Sequence, residues 1–140
     1  MPFITYSQEN GQVAVIIPAD PSLSIEEIAA KDVPEGLPYK IVDSLDIDND
    51  YFNAYEFHPE DGAEVNIDKA KAIHLDKLRS ARAPKLAKLD VDYMRALEVK
   101  DSVKASQIAI AKQELRDVTR ITLPDTLPEI KEVWPPCLDS

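Results

Sequence analysis

The chain has 140 residues, 44% hydrophobic and 30% charged, with a formal net charge of −10: enough apolar side chains for a core, and too many for wholesale disorder. One cysteine, Cys137, excludes a disulfide framework and a cysteine-built zinc site within one chain. Glycines isolated at Gly11, Gly36 and Gly62 exclude a phosphate-cradling loop or dinucleotide fingerprint. The longest run of large apolar residues, Val13 to Ile17, falls far short of the roughly 20 needed to span a bilayer. Met1-Pro2-Phe3-Ile4 lacks the basic region of a secretory signal. The expectation is a soluble intracellular product, or one that leaves its cell by another route.

Taken in order, Ile4–Tyr6 and Gln12–Ile17 flank Asn10-Gly11, a strong hairpin signal, and Pro18 ends the second strand. Ser24-Ile25-Glu26-Glu27 is a capping box that opens a short helix to about Ala30, stopped by Val33-Pro34-Glu35-Gly36. Tyr39–Asp43 and Tyr51–Phe57 are rich in β-branched and aromatic residues and are expected as two further strands. His58-Pro59-Glu60-Asp61-Gly62 marks a turn and the expected boundary between halves. Beyond it, Asp68 is the expected cap of a long helix with apolar residues at Leu75, Leu78, Leu86, Leu89, Tyr93 and Leu97. Arg82 fills the gap in that stripe, stem packed and head in solvent, and Pro84 is expected to kink or restart the helix. A rod over 69–98 would reach about 45 Å and needs the first half, a second copy or another protein to lie on. Asp101 caps a second helix, in which Ile108, Ala111, Leu115 and Val118 repeat at 3-4-3 spacing. The short break at Val99-Lys100 predicts an antiparallel hairpin. Thr126-Leu127-Pro128-Glu129 opens one more helical turn before an extended tail. The fold class is therefore α+β: a small N-terminal sheet with one short helix over 1–62, a helical hairpin over 63–122, and a proline-rich tail over 123–140.

Charge divides with the elements. Residues 1–62 hold two basic residues, Lys31 and Lys40, against 13 acidic ones, whereas residues 63–140 hold 14 basic and 13 acidic. Lys69, Lys71, Lys77, Arg79, Arg82, Lys85 and Lys88 stand against Asp76 alone. Such a run could grip phosphates. The chain is acidic overall and no aromatic residue interleaves the run, so a charged helix face is favoured over a nucleic-acid site.

Catalytic chemistry finds little support. Asp46-Ile47-Asp48-Asn49-Asp50 starts like a calcium loop, but Tyr51 stands where such a loop needs glycine and Phe57 where it needs a bidentate glutamate. A solvated acidic turn is the expectation. His58 and His74 form no HExxH or i,i+4 pair, and neither has a serine or cysteine in a nucleophile setting. Cys137 is expected to be a bystander thiol. No catalytic residue, cofactor or metal is assigned.

Two stretches together carry a resemblance. The first is Ile28-Ala29-Ala30-Lys31-Asp32-Val33-Pro34-Glu35-Gly36-Leu37-Pro38-Tyr39-Lys40-Ile41-Val42-Asp43 with Phe52-Asn53-Ala54-Tyr55-Glu56. The second runs from Asp68-Lys69-Ala70-Lys71-Ala72-Ile73 through Leu78–Pro84 and Leu89–Glu98 to Lys112-Gln113-Glu114-Leu115-Arg116-Asp117-Val118 and Trp134-Pro135. This pattern resembles the tail fibre assembly proteins, or tail assembly chaperones, of tailed bacteriophages and prophages. The ending from Lys112 to Asp117 with Trp134-Pro135 is its most diagnostic part. At Phe52-Asn53-Ala54-Tyr55 the chain departs from relatives, which often carry an arginine and a tryptophan there. The resemblance implies a non-enzymatic helper that binds a tail or fibre polypeptide in the bacterial host cytoplasm during assembly, with some relatives remaining on the virion tail. A permanent minor virion protein, adaptor or decoration, is the alternative, and homo-oligomers are open. Tyr55, Arg116 and Trp134 are the candidate partner contacts. Arg116 beside Asp117 is suited to fixing the second helix against the tail, and Trp134 is expected to be buried as a plug on the hairpin.

Overall fold

The computed structural model describes residues 2–139, and the protein is α+β. It forms two compact units, residues 1–70 and 71–140. In the first, β1 (Phe3–Ser7) pairs antiparallel with both β2 (Val13–Ile16) and β3 (Tyr39–Val42), giving the order β2-β1-β3. The hairpin forms where Asn10-Gly11 predicts it. Gly11 N–H donates to the Gln8 carbonyl at 2.9 Å, and Gly11 takes φ of 86°, the left-handed residue that returns the chain to the strand. Register places Ile4 between Ile16 and Ile41 on one face. Helix α1 (Ile25–Asp32) closes that face with Ile28 and Ala29. Its capping box is present as expected: Glu27 N–H donates to Ser24 Oγ at 3.1 Å, and Ser24 N–H to Glu27 Oε1 at 3.4 Å.

The second half of this unit departs from expectation. Tyr51–Ala54 is not strand. Residues Asn49–Ala54 form a 3-10 helix, because the Asp48 side chain accepts from Asp50 N–H at 3.0 Å and its carbonyl from Tyr51 N–H at 3.0 Å. The strand, β4, is confined to Tyr55–His58, and it pairs with β5 (Gly62–Val65), which the sequence pattern did not announce. The His58–Gly62 stretch is therefore a hairpin turn inside one unit rather than a boundary. His58 Nδ1 accepts from the N–H groups of Glu60 and Asp61 at 3.3 and 3.2 Å, closing the turn. This β4–β5 ribbon covers the other face of the first sheet. Gly62, at φ of 88°, comes so near that an added Cβ would lie 3.0 Å from both Thr5 Oγ1 and Val42 Cγ1. Thr5 is fully buried there, and its hydroxyl has no hydrogen-bond partner among the described residues.

Helix α2 (Ile67–Glu98) begins two residues earlier than expected. Asn66, not Asp68, receives its free amides: Asn66 Oδ1 accepts from Lys69 N–H at 3.2 Å while Asn66 Nδ2 donates to Glu56 Oε1 at 2.7 Å. Asp68 instead sits in the first turn, favourable to the helix dipole. At 1.5 Å per residue α2 is about 48 Å long, and Pro84 does not interrupt it. Ala81, Leu86 and Leu89, on both sides of that proline, pack against one core with Leu78, Leu115, Val118 and Leu138, which holds the adjoining turns in line. The second unit pairs α2 with α3 (Ser102–Asp117) as an antiparallel hairpin. Leu78 meets Leu115 near one end, and Ala96 meets Ala105 and Ile108 near the other. Between them Lys112 Nζ reaches Asp90 at 2.6 Å and stands over the Tyr93 ring.

The tail is folded rather than extended. α4 (Leu127–Glu132) buries Ile130 completely, and a 3-10 turn at Pro136–Leu138 inserts Leu138 into the core of the helical hairpin. Burial of these two large side chains is worth roughly 1.5–3 kcal/mol each, enough to order a short segment.

Two outcomes follow from the caps. The α2–α3 turn donates Asp101 N–H to the Ala96 carbonyl at 2.9 Å and Lys100 N–H to that of Leu97 at 3.1 Å, with Lys100 left-handed at φ of 58°. Lys100→Gly should raise stability by about 0.5–1 kcal/mol in urea melts at low protein concentration. The hydrogen bond from Asn66, with the further bond and charge of Lys69, holds the Glu56 carboxyl below its ordinary range. A depressed carboxylate stabilises the fold above its unfolded pKa and ceases to do so as pH falls through its folded one. The stability gap between wild type and Glu56→Gln should thus be full at neutral pH and close below about pH 4.

Candidate functional site

The residues singled out by sequence fall into three groups. The basic run is the first. Around a helix of 3.6 residues per turn, positions 69, 71, 77, 79, 82, 85 and 88 point in every direction, so they form no single phosphate-binding face. Several are committed within the chain. Lys69 pairs with Glu56 at 3.1 Å, Lys71 with Asp125 at 2.8 Å and Arg79 with Asp76 at 2.7 Å. The Lys71 bond and charge hold the Asp125 carboxyl below its ordinary range.

Arg82 is the clearest departure from expectation. Its head does not end in solvent. Arg82 Nη1 donates to the carbonyls of Arg116 at 2.9 Å and Leu115 at 3.4 Å, and to Thr119 Oγ1 at 3.2 Å. These carbonyls close α3, where no intrahelical donor remains and the helix dipole is negative. A guanidinium fork satisfies several at once.

The second group comprises the metal and nucleophile candidates. Asp48 is consumed as the cap of the 3-10 helix, and His58 closes its own turn. Among the described residues no three histidine, cysteine, aspartate or glutamate side chains gather to hold a metal. His74, only 2% exposed, donates from Nε2 to the Val133 carbonyl at 2.7 Å and so ties the tail to α2. Cys137 Sγ lies 4.0 Å from the Glu114 carbonyl, beside a groove of about 640 Å³ bordered by Lys85, Lys88, Asp92 and Glu114.

The third group is the set of partner candidates, which differ in exposure. Tyr55 is buried, its hydroxyl accepting from Asp48 N–H at 3.1 Å, so it shapes the loop before β4. Arg116 is exposed, and the chain uses its carbonyl rather than its side chain; Asp117 turns instead to Gln113 at 2.9 Å. Trp134 is not a core plug. It is 41% exposed, although the carbonyl just before it is pinned by His74 and Leu138 beyond it is buried. Sequence signals for Arg82 and His74 existed only as polar interruptions of an apolar stripe, which do not reveal what the polar tip will meet.

Comparisons with models of protein families, with characterised proteins and with solved structures found no match. No helix among the described residues is long and apolar enough to cross a membrane.

The assignment of Arg82 separates from a ligand-gripping role by one measurement. Arg82→Ala should cost about 1–3 kcal/mol in chemical denaturation. Lys88→Ala, on the exposed rim of the groove, should cost under about 0.5 kcal/mol.

Proposed function

We propose that the protein is a non-enzymatic assembly helper for a bacteriophage tail or tail fibre, acting in the bacterial host and binding the tail or fibre polypeptide through a surface that includes Trp134. The resemblance of residues 28–57 and 68–135 to tail assembly chaperones supplies the class. The observation that carries the surface is the state of Trp134: a large amphipathic ring left 41% exposed on backbone fixed immediately before it by the buried His74. A tryptophan held in place before binding loses little conformational freedom on docking, which is why such residues dominate interfaces. It also belongs to the Trp134-Pro135 ending on which the resemblance rests most heavily. Nucleic acid is a weaker candidate, since the cations of the 69–88 run diverge around α2 and several serve carboxylates or carbonyls of the same chain.

The test is capture of partners by tagged protein in a phage-producing host, followed by mass spectrometry. Wild type should recover one long tail or fibre polypeptide, and Trp134→Ala should recover at least about tenfold less. Its melting temperature should shift by no more than about 2 °C. Recovery of nucleic acid that is lost steeply with salt would overturn the proposal, as would undiminished capture by Trp134→Ala.

A further inference from the structure

Strand β3 lies at an edge of the three-stranded sheet. Ser7 N–H donates to the Pro38 carbonyl at 3.0 Å, so the antiparallel alternation makes Thr5–Lys40 and Phe3–Val42 the bonded pairs. The N–H and C=O groups of Tyr39 and Ile41 therefore point away from β1, toward the place of a fourth strand. Tyr39 is 49% exposed and Lys40 is exposed as well, so this end of the edge is accessible.

Beside Tyr39 is a hollow of about 500 Å³ bordered by Ala30, Asp32, Pro34 and Glu35. It lies on the α1 side of the sheet, which Tyr39 shares because it pairs with Tyr6, two residues along from the core residue Ile4. The lining is suited to a cation. The Ala30 carbonyl has lost its helical donor, because Pro34, four residues on, has no N–H, and this end of α1 is the negative pole of the helix. Asp32 and Glu35 add two carboxylates against Lys31. The Tyr39 ring offers a face on which a guanidinium can stack. At the end of α3 the same need is met from within the chain, by Arg82. We infer that β3 accepts, as an added strand, an extended segment of another polypeptide that carries arginine or lysine at alternate positions. Side chains of an added strand alternate between the two faces as those of β3 do. Those opposite Tyr39 and Ile41 lie on the α1 side, by the hollow, and are the basic ones. Those opposite Lys40 lie on the other side and are uncharged, since Lys40 repels a cation there. A second copy of the chain does not suit this edge. Residues 1–62 hold 13 acidic side chains against two basic ones, and pairing β3 with itself would press two such units together.

This contact is separate from that of Trp134, and its test needs no tail polypeptide. The probe is the end-capped heptapeptide Thr-Arg-Val-Arg-Val-Arg-Thr, and the control carries glutamine in place of each arginine. The full chain should bind the probe with a dissociation constant on the order of 10–100 µM, and the control at least about tenfold more weakly. Hydrogen exchange read by NMR gives the decisive pattern. The amides of Tyr39 and Ile41 should exchange quickly in the free protein and slow by at least about tenfold with saturating probe, while those of Lys40 and Val42 are slow throughout. Glu35→Lys and Tyr39→Ala, both at exposed positions, should each weaken the probe by about fivefold or more with unchanged circular dichroism. Binding that leaves the Tyr39 and Ile41 amides unprotected, equal binding of the control, or no binding up to about 1 mM would overturn the inference. So would protection of those two amides in the free protein that rises with its concentration, the mark of a second copy on this edge.

Discussion

The second unit depends on two side-chain-to-backbone bonds that α2 sends to other elements. Carbonyls at the end of a helix and at the start of a turn have lost their helical donors, and burying them unpaired is costly. Arg82 meets those that end α3, and His74 meets that of Val133 after α4. Both donors stand on one helix, so their reach fixes where the other two segments can lie. The antiparallel turn at Lys100-Asp101 is what brings the end of α3 back to Arg82. The apolar core of Leu78, Leu115, Val118 and Leu138 then fills the space that these bonds define. Removing either donor would leave the core residues in place but take from these carbonyls the partner that orients them.

Local chemistry was legible and distant partners were not. Asn10-Gly11, the Ser24–Glu27 box, the Asp101 cap and the 3-4-3 rhythm of α3 each act over a few residues, and each formed where the pattern puts it. The strand expected over Tyr51–Phe57 lost its first half because Asp48 offers its side chain to the backbone two residues on, a competition that β-propensity ignores. Asn66 displaced Asp68 as the cap because Glu56, ten residues upstream, holds its amide. Gly62–Val65 escaped notice because a four-residue strand with one large apolar side chain has almost no periodicity. The candidate contacts show the same division. Aromatic character alone could not say that Tyr55 would be enclosed while Trp134 stayed half open, since the difference lies in what folds over each.

The charge asymmetry takes on a different meaning once the side chains are placed. Lysines and arginines that look like a polyanion grip in one dimension serve largely as internal fasteners in three. Lys69 joins the start of α2 to β4, Lys71 joins α2 to the segment before α4, and Arg82 joins α2 to α3. Carboxylates of the first unit serve mostly at short range: Asp20, Glu27 and Asp48 accept from residues two or three positions away, and Glu56 takes Asn66 and Lys69.

The contact between Gly62 and Thr5 limits how this sequence can drift. At Gly11, where an added Cβ would meet nothing, only the left-handed backbone restricts the residue, and asparagine or aspartate could substitute at modest cost. Gly62 carries both restrictions together: a left-handed backbone and two neighbours at 3.0 Å from the missing Cβ. Shrinking Thr5 would relieve one clash but neither the contact with Val42 nor the backbone strain, so no single compensating exchange opens position 62. Epistasis there runs in one direction. Thr5 is free to vary among residues of its size and shape as long as Gly62 stays, while Gly62 gains no freedom from any change at Thr5.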